Sequence, residues 1–574
     1  MVLLSMLLFA ALANAKCFAP SVAHPLPEYD RHDPLLQEAF ESIDTALTVA
    51  VAAPEFARTS FSVAITSSKE SLWSHHHTAR ERNTSRSDIA RVNGDALYRI
   101  ASITKTFTVL GILYQHEAGN MSLDDTVNNY IEELGEKSDG GIPWKDITLR
   151  SLASQLSGIP REFAQGDLIN SDKFLLNDPT DIGLPPVSRQ GLVTCSEYSP
   201  NYEVPCTLED LLNAVKSKAP LFAPNQQSTY SNVAFELLGL AISRVTNQSF
   251  EAYINNAIFK PLNMSSSTLS VPPDSAGVIP FEPQYWDVDE GIQAPTGGIY
   301  SSTNDLSKYL RYILQHFNAI SHAINWNHPV SPSRGLNSFY GMPWEIFQTD
   351  RILKDSKRTV RFVTKSGGVP GYTSIIMTVP EYDLGITILL AGTPGFFQQI
   401  REIVTVAIVR AAEKLAIRQL NERYAGTYIS TNVTLNSSMT LVADHRGLAV
   451  TKWISNSTDV LESISRIAML KNWYAQLVPT LLYRDEKEQK GEEWRLQSTE
   501  ESSEGVGEIW DDFCITNIDA PLYAGVGFNE FVFWDQGKDG AFKQLELTAF
   551  RANMTRLDDG GDRLRQEEQE VLEL

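Results

Sequence analysis

Three short segments stand in chain order: Ser102-Ile103-Thr104-Lys105, Tyr230-Ser231-Asn232 and Lys365-Ser366-Gly367-Gly368. Together they offer a hydroxyl, two amines, a phenol, an amide and a glycine-rich strand edge. That set is the equipment of acyl transfer through a serine. Residues at i and i+3 share a helix face, so the Lys105 amine can reach the Ser102 hydroxyl. A partly desolvated lysine can act as a base or hold another base ionised. The plainer reading of Ser102 is a helix N-cap, and a lone S-x-x-K arises by chance in a chain of 574 residues.

The second and third segments supply what the first lacks. A phenol beside ammonium groups ionises below its usual pKa near 10 and can shuttle protons, which gives Tyr230 a role. Asn232 can donate its amide to a substrate carbonyl. Tyr253-Ile254-Asn255 is a competing Tyr-x-Asn, but it falls within an amphipathic helical pattern where side chains serve packing. Tyr230 follows the loop Phe222-Ala223-Pro224-Asn225 and precedes a helix, a position suited to a pocket mouth. Lys365 can fix an anionic group or tune Tyr230. Ser366, Gly367 and Gly368 form an edge a substrate backbone can approach closely. The N–H groups of Gly368 and Ser102 can together form an oxyanion hole.

The elements that must hold these residues are visible as patterns. Thr104–Glu117 repeats apolar residues at helical spacing and stops at Gly119. Further helices are predicted over 232–246, 251–259, 301–317 and 397–416. Strands are predicted at 61–66, 96–100, 361–364, 374–379 and 385–391. After Leu420 the texture changes to short period-two runs between polar turns, which indicates an antiparallel β domain. The charged stretch 484–504 is predicted to be a mobile loop, and the acidic tail 558–574 to fray. His75-His76-His77 has no matching acidic or cysteine ligand spacing and is predicted to be a solvated loop, with no metal site.

Composition narrows the class. The net charge of −22 and a pI of about 4.9 argue against nucleic acid and anionic membranes as partners. Residues 1–15 read as a secretory signal peptide: an apolar run ends in Ala13-Asn14-Ala15 and is too short to span a bilayer. No later segment reads as a transmembrane helix. Sequons for glycosylation stand at Asn83, Asn120, Asn247, Asn263, Asn432, Asn436, Asn456 and Asn553. The four cysteines suit an oxidising compartment. A Cys195–Cys206 disulfide is expected in a short loop near the site, and Cys17 and Cys514 are the remaining pair.

Longer stretches carry a resemblance. Tyr98–Phe107, Thr148–Leu152, Ser157-Gly158-Ile159-Pro160, Phe222-Ala223-Pro224, Pro261–Met264, Pro295–Ser301 and Tyr340–Glu345 surround the three motifs. Over about residues 35–415 the chain resembles the serine β-lactamase and penicillin-recognising hydrolase family, in its class C and esterase-like branch. With the appended β domain it resembles fungal secreted β-lactamase-like proteins, some of them in secondary metabolism. Departures are Asn225 and Asn263, where the family has glycine, and Gln155-Leu156 in place of a Thr-His pair. The resemblance implies an α/β (α+β) transpeptidase-like fold, an antiparallel sheet flanked by helices. The expected division is a hydrolase domain at 16–420 and a β-rich domain at 421–574.

It further implies Ser102 as nucleophile, Lys105 and Tyr230 as its base system in an order left open, and no cofactor. The expected function is hydrolysis of a small-molecule ester, amide or thioester through an acyl-serine. Transfer of the acyl group to an alcohol or amine is the enzymatic alternative. A non-catalytic binding protein is the other, opposed by the intact Ser102, Lys105, Tyr230 and Lys365.

Overall fold

The computed structural model describes residues 23–135, 141–163, 168, 179–188, 190, 195, 205–281, 285–317, 326–356, 358–432, 434–470, 472–500 and 518–557. The predicted signal segment, Cys17, Cys514 and the acidic tail lie outside these residues.

Period-two burial builds the first layer. Phe61, Val63 and Ile65 of strand Ser60–Thr66 point to one face of a sheet, as do Ile375, Met377, Ile386 and Ile388 of its neighbours. Ile376, Val363 and Leu389 point to the other. Such continuous apolar strands are covered on both sides. Helices Pro34–Val51 and Gly395–Arg423 pack on the first face through Leu36, Phe40, Ile43, Ile400, Val404 and Ile408. Helices Thr104–Glu117, Val233–Thr246 and Thr303–Phe317 belong to the core on the second.

The sheet has eight antiparallel strands, in the order Ser71–His77, Ser60–Thr66, Leu384–Ala391, Tyr372–Val379, Val360–Val369, Glu345–Thr349, Ser338–Tyr340 and Ser331–Pro332. The predicted strand at 96–100 shortens to Tyr98–Arg99, which pairs with Tyr300–Ser301.

The three histidines correct one expectation. They end the edge strand Ser71–His77 and do not form a loop. His75 and His77 stack on Phe61, and His75 Nδ1 lies 2.7 Å from Asp44 Oδ1. Ring burial against Phe61 outweighs solvation of this stretch.

The C-terminal strands close on themselves. Eight run antiparallel in the order Ser438–Asp444, Gly426–Ser430, Ala552–Arg556, Phe542–Leu547, Glu530–Gln536, Lys490–Glu500, Trp473–Asp485 and Gly447–Ser455. The last then pairs back with the first, Ser438 opposite Ile454, making a barrel. Closure removes exposed sheet edges. Trp453, Trp494, Phe531 and Phe533, all fully buried, fill the interior. Each such side chain contributes about 2–3 kcal/mol by leaving water.

The charged stretch after 484 is therefore not a loop through its described part. Lys490–Glu500 is a barrel strand whose Trp494 and Leu496 point inward. Its charges are satisfied across strands: Arg484 meets Glu493 and Glu530, and Arg495 meets Glu530. Charge density had concealed the alternation.

Helix Gly395–Arg423 continues past the expected domain boundary, and its Leu420 enters the barrel core. A buried network ties barrel, helix and sheet. Arg358, 1% exposed, donates to Glu413, to Tyr382 and to the His445 carbonyl. Tyr382 also donates to Glu413, and His24 Nε2 lies 3.5 Å from the same carboxylate. Burial raises the Glu413 pKa, but the His24 contact and Arg358 outweigh it and bring it down to about 2.

A carboxyl depressed in the folded state contributes stability above its unfolded pKa near 4.5 and loses it as pH falls through the folded value. Stability is thus expected to drop by roughly 3 kcal/mol between about pH 4.5 and pH 2 through this group. Thermal midpoints across that range should show it. Glu413→Gln should lower stability at pH 7, because Arg358 stays buried and unpaired, and should flatten the acid dependence. An unchanged acid slope in the variant would refute the assignment.

Candidate active site

Ser102 sits in a single 3-10 turn, Ala101–Ile103, between strand Tyr98–Arg99 and helix Thr104–Glu117. Ala101 has φ +47°, a left-handed conformation that opposes its Cβ. Such backbone strain persists only where the surroundings enforce it. Here they do. Arg99, fully buried, donates to the carbonyls of Tyr285, Val288 and Gly298 and lies over the Tyr300 ring. Ser374 Oγ donates to the Ile100 carbonyl at 2.9 Å. The N-cap reading of Ser102 fails, because neither helical segment at this turn has a side-chain cap bond.

The turn leaves the Ser102 hydroxyl partly exposed while Lys105 below it is fully buried. Lys105 Nζ lies 3.0 Å from Ser102 Oγ and donates to the Thr296 carbonyl at 2.9 Å. Burial lowers its pKa, with Lys365 adding to the effect and Tyr230 opposing it.

Tyr230 is placed by a loop held to its own loop. The Thr229 and Ser231 N–H groups donate to the Gln155 carbonyl and side chain, and the Asn232 N–H donates to the Arg161 carbonyl. Asn225 and Asn263, where the family has glycine, take φ +64° and +54°. Asparagine tolerates that region, so the turns survive the substitution. Lys105 Nζ and Lys365 Nζ each lie 5.2 Å from the centre of the Tyr230 ring. Burial would raise the phenol's pKa, but these two cations outweigh it and bring it below its ordinary value. Tyr253, by contrast, donates to the Gly111 carbonyl and accepts from Gln115 in the core.

The third motif lies inside strand Val360–Val369, which runs past the predicted end at residue 364. A Cβ on Gly367 would stand 2.2 Å from the Ile100 carbonyl oxygen and 3.1 Å from the Ser102 nitrogen. Only glycine admits that approach. Gly367→Ala is therefore expected to push the strand from the Ser102 turn, with activity down at least about 100-fold. Activity and thermal midpoint measured together test this: unchanged turnover would show that the approach is not needed. At Gly368 the corresponding direction is open. The Ser366 N–H faces the side of strand Glu345–Thr349. Strand alternation turns the Gly368 N–H to the same side.

Two carboxylates at the site had no role in the sequence reading. Glu345 accepts from Lys365 Nζ and from both the N–H and the hydroxyl of Ser366. Lys365 also donates to the Ser366 carbonyl. Its pKa is raised because Glu345 and Tyr230 overcome the effect of burial. Lys365 is thus a paired cation, not a free one. Glu162 accepts from Asn232 Nδ2 at 2.5 Å and pairs with Arg161, whose guanidinium lies 4.7 Å from the Tyr230 ring centre. One Asn232 amide hydrogen is thus engaged with protein. Glu345 ends a segment whose sequence had attracted notice; Glu162 gave no signal beyond following Ser157–Pro160.

Cys195 and Cys206 form a disulfide, Cα atoms 5.0 Å apart. A cleft of about 640 Å3 lies beside Gly368, lined by Arg58, Phe281, Tyr372, Thr373 and Pro394. No group of three described His, Cys, Asp or Glu side chains is arranged to hold a metal, and no described helix is long and apolar enough to cross a membrane.

A seryl turn, a buried lysine and a tyrosine beside two lysine side chains stand together at this sheet. The Beta-lactamase family matches residues 49–409, and the chain belongs to it. The family described as Beta-lactamase-like-like, C-terminal domain, matches residues 416–558.

A protein of Phoma sp. named as a probable hydrolase is 32% identical over 550 residues, covering 93% of this chain and 90% of its own. A β-lactamase-like protein of Arthroderma benhamiae is 29% identical, covering 94% and 95%. A β-lactamase/D-alanine carboxypeptidase structure from Yersinia pestis aligns with TM-score 0.48 at 18% identity, over 65% of this chain and 99% of that one.

Proposed function

We propose that this protein is a secreted serine hydrolase that cleaves an ester, amide or thioester through an acyl-Ser102 intermediate. The observation that carries the reading is the 3.0 Å approach of a buried lysine amine to the Ser102 hydroxyl, with Tyr230 between two cations. Lys105 and Tyr230 act as one proton relay. The relay takes the hydroxyl proton as Ser102 Oγ attacks the carbonyl carbon, and returns it to the leaving group as the tetrahedral intermediate collapses. The N–H groups of Ser102 and Gly368 hold the oxyanion. Water, deprotonated by the same relay, then releases the acid and regenerates Ser102. The cleft beside Gly368 has room for part of the substrate.

Secretion is supported by the N-terminal apolar run and the Cys195–Cys206 disulfide. Seven sequon asparagines are exposed and Asn83 is half-buried, so sugar can be accommodated. Intact-mass and peptide analysis after exposure to a fluorophosphonate tests the core of the proposal. One adduct on Ser102, blocked by prior incubation with an activated ester, is expected. Labelling elsewhere, or none, would overturn it and favour a binding protein.

A further inference from the structure

The edge of strand Val360–Val369 beyond Thr364 is where an incoming acyl compound would lie. Strand Glu345–Thr349 begins at Glu345, opposite Thr364, so it leaves the following residues of that edge without a strand partner. The first groups of this open edge are nevertheless occupied. Glu345 Oε2 accepts from the Ser366 N–H at 3.0 Å and from the Ser366 hydroxyl at 2.6 Å. Lys365 Nζ donates to Glu345 Oε1 and, at 2.9 Å, to the Ser366 carbonyl. A backbone amide, a hydroxyl and an ammonium converging on one point make an anion position, and a side chain of this chain fills it.

The other cations near the site also have partners, though the two arginines stay largely exposed. Arg161 pairs with Glu162, and Arg58 at the cleft rim pairs with Glu81, each at 3.0 Å. Lys105 serves Ser102 and Thr296. Of the cations that are buried at the site, Lys105 and Lys365, neither is left to receive a substrate carboxylate.

We propose that Glu345 is a built-in occupant of the anion position on this strand edge, and that it restricts the enzyme to acyl compounds whose leaving side is uncharged, neutral esters foremost. The idea rests on Ser102 being the nucleophile. Glu345 excludes a carboxylate by holding the donors that would receive it, and it leaves Gly368 as the backbone contact for a neutral group.

The test uses two esters of one acyl group, 4-(butanoyloxy)benzamide and 4-(butanoyloxy)benzoic acid, which differ in charge on the leaving side. Wild-type kcat/KM should favour the amide by at least about 100-fold. Glu345→Gln keeps the shape and removes the charge, and should raise the acid-to-amide ratio at least about tenfold. Equal losses on both esters would overturn the proposal, showing that Glu345 only positions Lys365. So would a wild type that hydrolyses the acid as fast as the amide.

Should the variant fail to fold, wild-type inhibition by the two leaving groups themselves, 4-hydroxybenzamide and 4-hydroxybenzoate, decides. Tighter binding of the carboxylated compound would overturn the idea; weaker binding would support it. Failure of the underlying reading looks different: Ser102→Ala would then retain turnover on both esters.

Discussion

Replacing Ser102 with alanine is expected to lower kcat/KM on any activated ester by roughly 10^4-fold or more while leaving the fold intact. The hydroxyl is the proposed attacking atom, and it lies 3.0 Å from the buried Lys105 amine. The structural cost is small. Lys105 keeps its bond to the Thr296 carbonyl and its place against the Tyr230 ring. Losing one partly exposed hydrogen bond costs about 1 kcal/mol, so the thermal midpoint should move by no more than about 3 °C. Ester turnover and a thermal melt on the same preparation check both halves. Full turnover with an unchanged melt would remove Ser102 from the mechanism.

The second large effect concerns the relay. Tyr230→Phe and Lys105→Ala should each reduce acylation by about 10^3-fold, and the double variant should be scarcely worse than either single one. Groups that pass one proton fail together; independent groups would give losses that multiply. Multiplying losses would separate the two residues mechanistically.

The pH profile adds a sign. The relay works from its deprotonated form, so kcat/KM rises with pH through the relay's pKa. Lys105 and Lys365 bring the Tyr230 pKa below its ordinary value. Taking away the Lys105 charge with Lys105→Met must let that pKa climb, moving the acid limb of the residual activity to higher pH. A limb that moves to lower pH would contradict the electrostatic account.

Both predictions depend on pairings that differ in how legible they were. Ser102 and Lys105 are local: one helical turn separates them, so their contact follows from the i, i+3 geometry of a helix whose apolar spacing is plain. The helices at 233–246 and 303–317, the sheet strands around 374–391 and the β texture after residue 420 were likewise readable, because amphipathic period is a property of neighbouring residues. Asn225 and Asn263 read in sequence only as departures from glycine; their left-handed backbone is a finding of the structure.

What the sequence by itself determined, then, was the set of reactive groups and the local elements that carry them. The charges those groups bear, and what faces them, were decided by tertiary structure. Lys365 reads in sequence as a free cation, yet burial 1% exposed against Glu345 makes it half of a neutral pair. Asn232 reads as a substrate donor, yet its amide meets Glu162. The stretch after 484 reads as a charged loop, yet cross-strand arginine–glutamate pairs and an inward Trp494 make it a barrel strand. The reason is common to all three. A side chain's electrostatic role depends on partners brought from distant parts of the chain and on the water excluded between them, and neither quantity exists until the strands have paired and the core has closed.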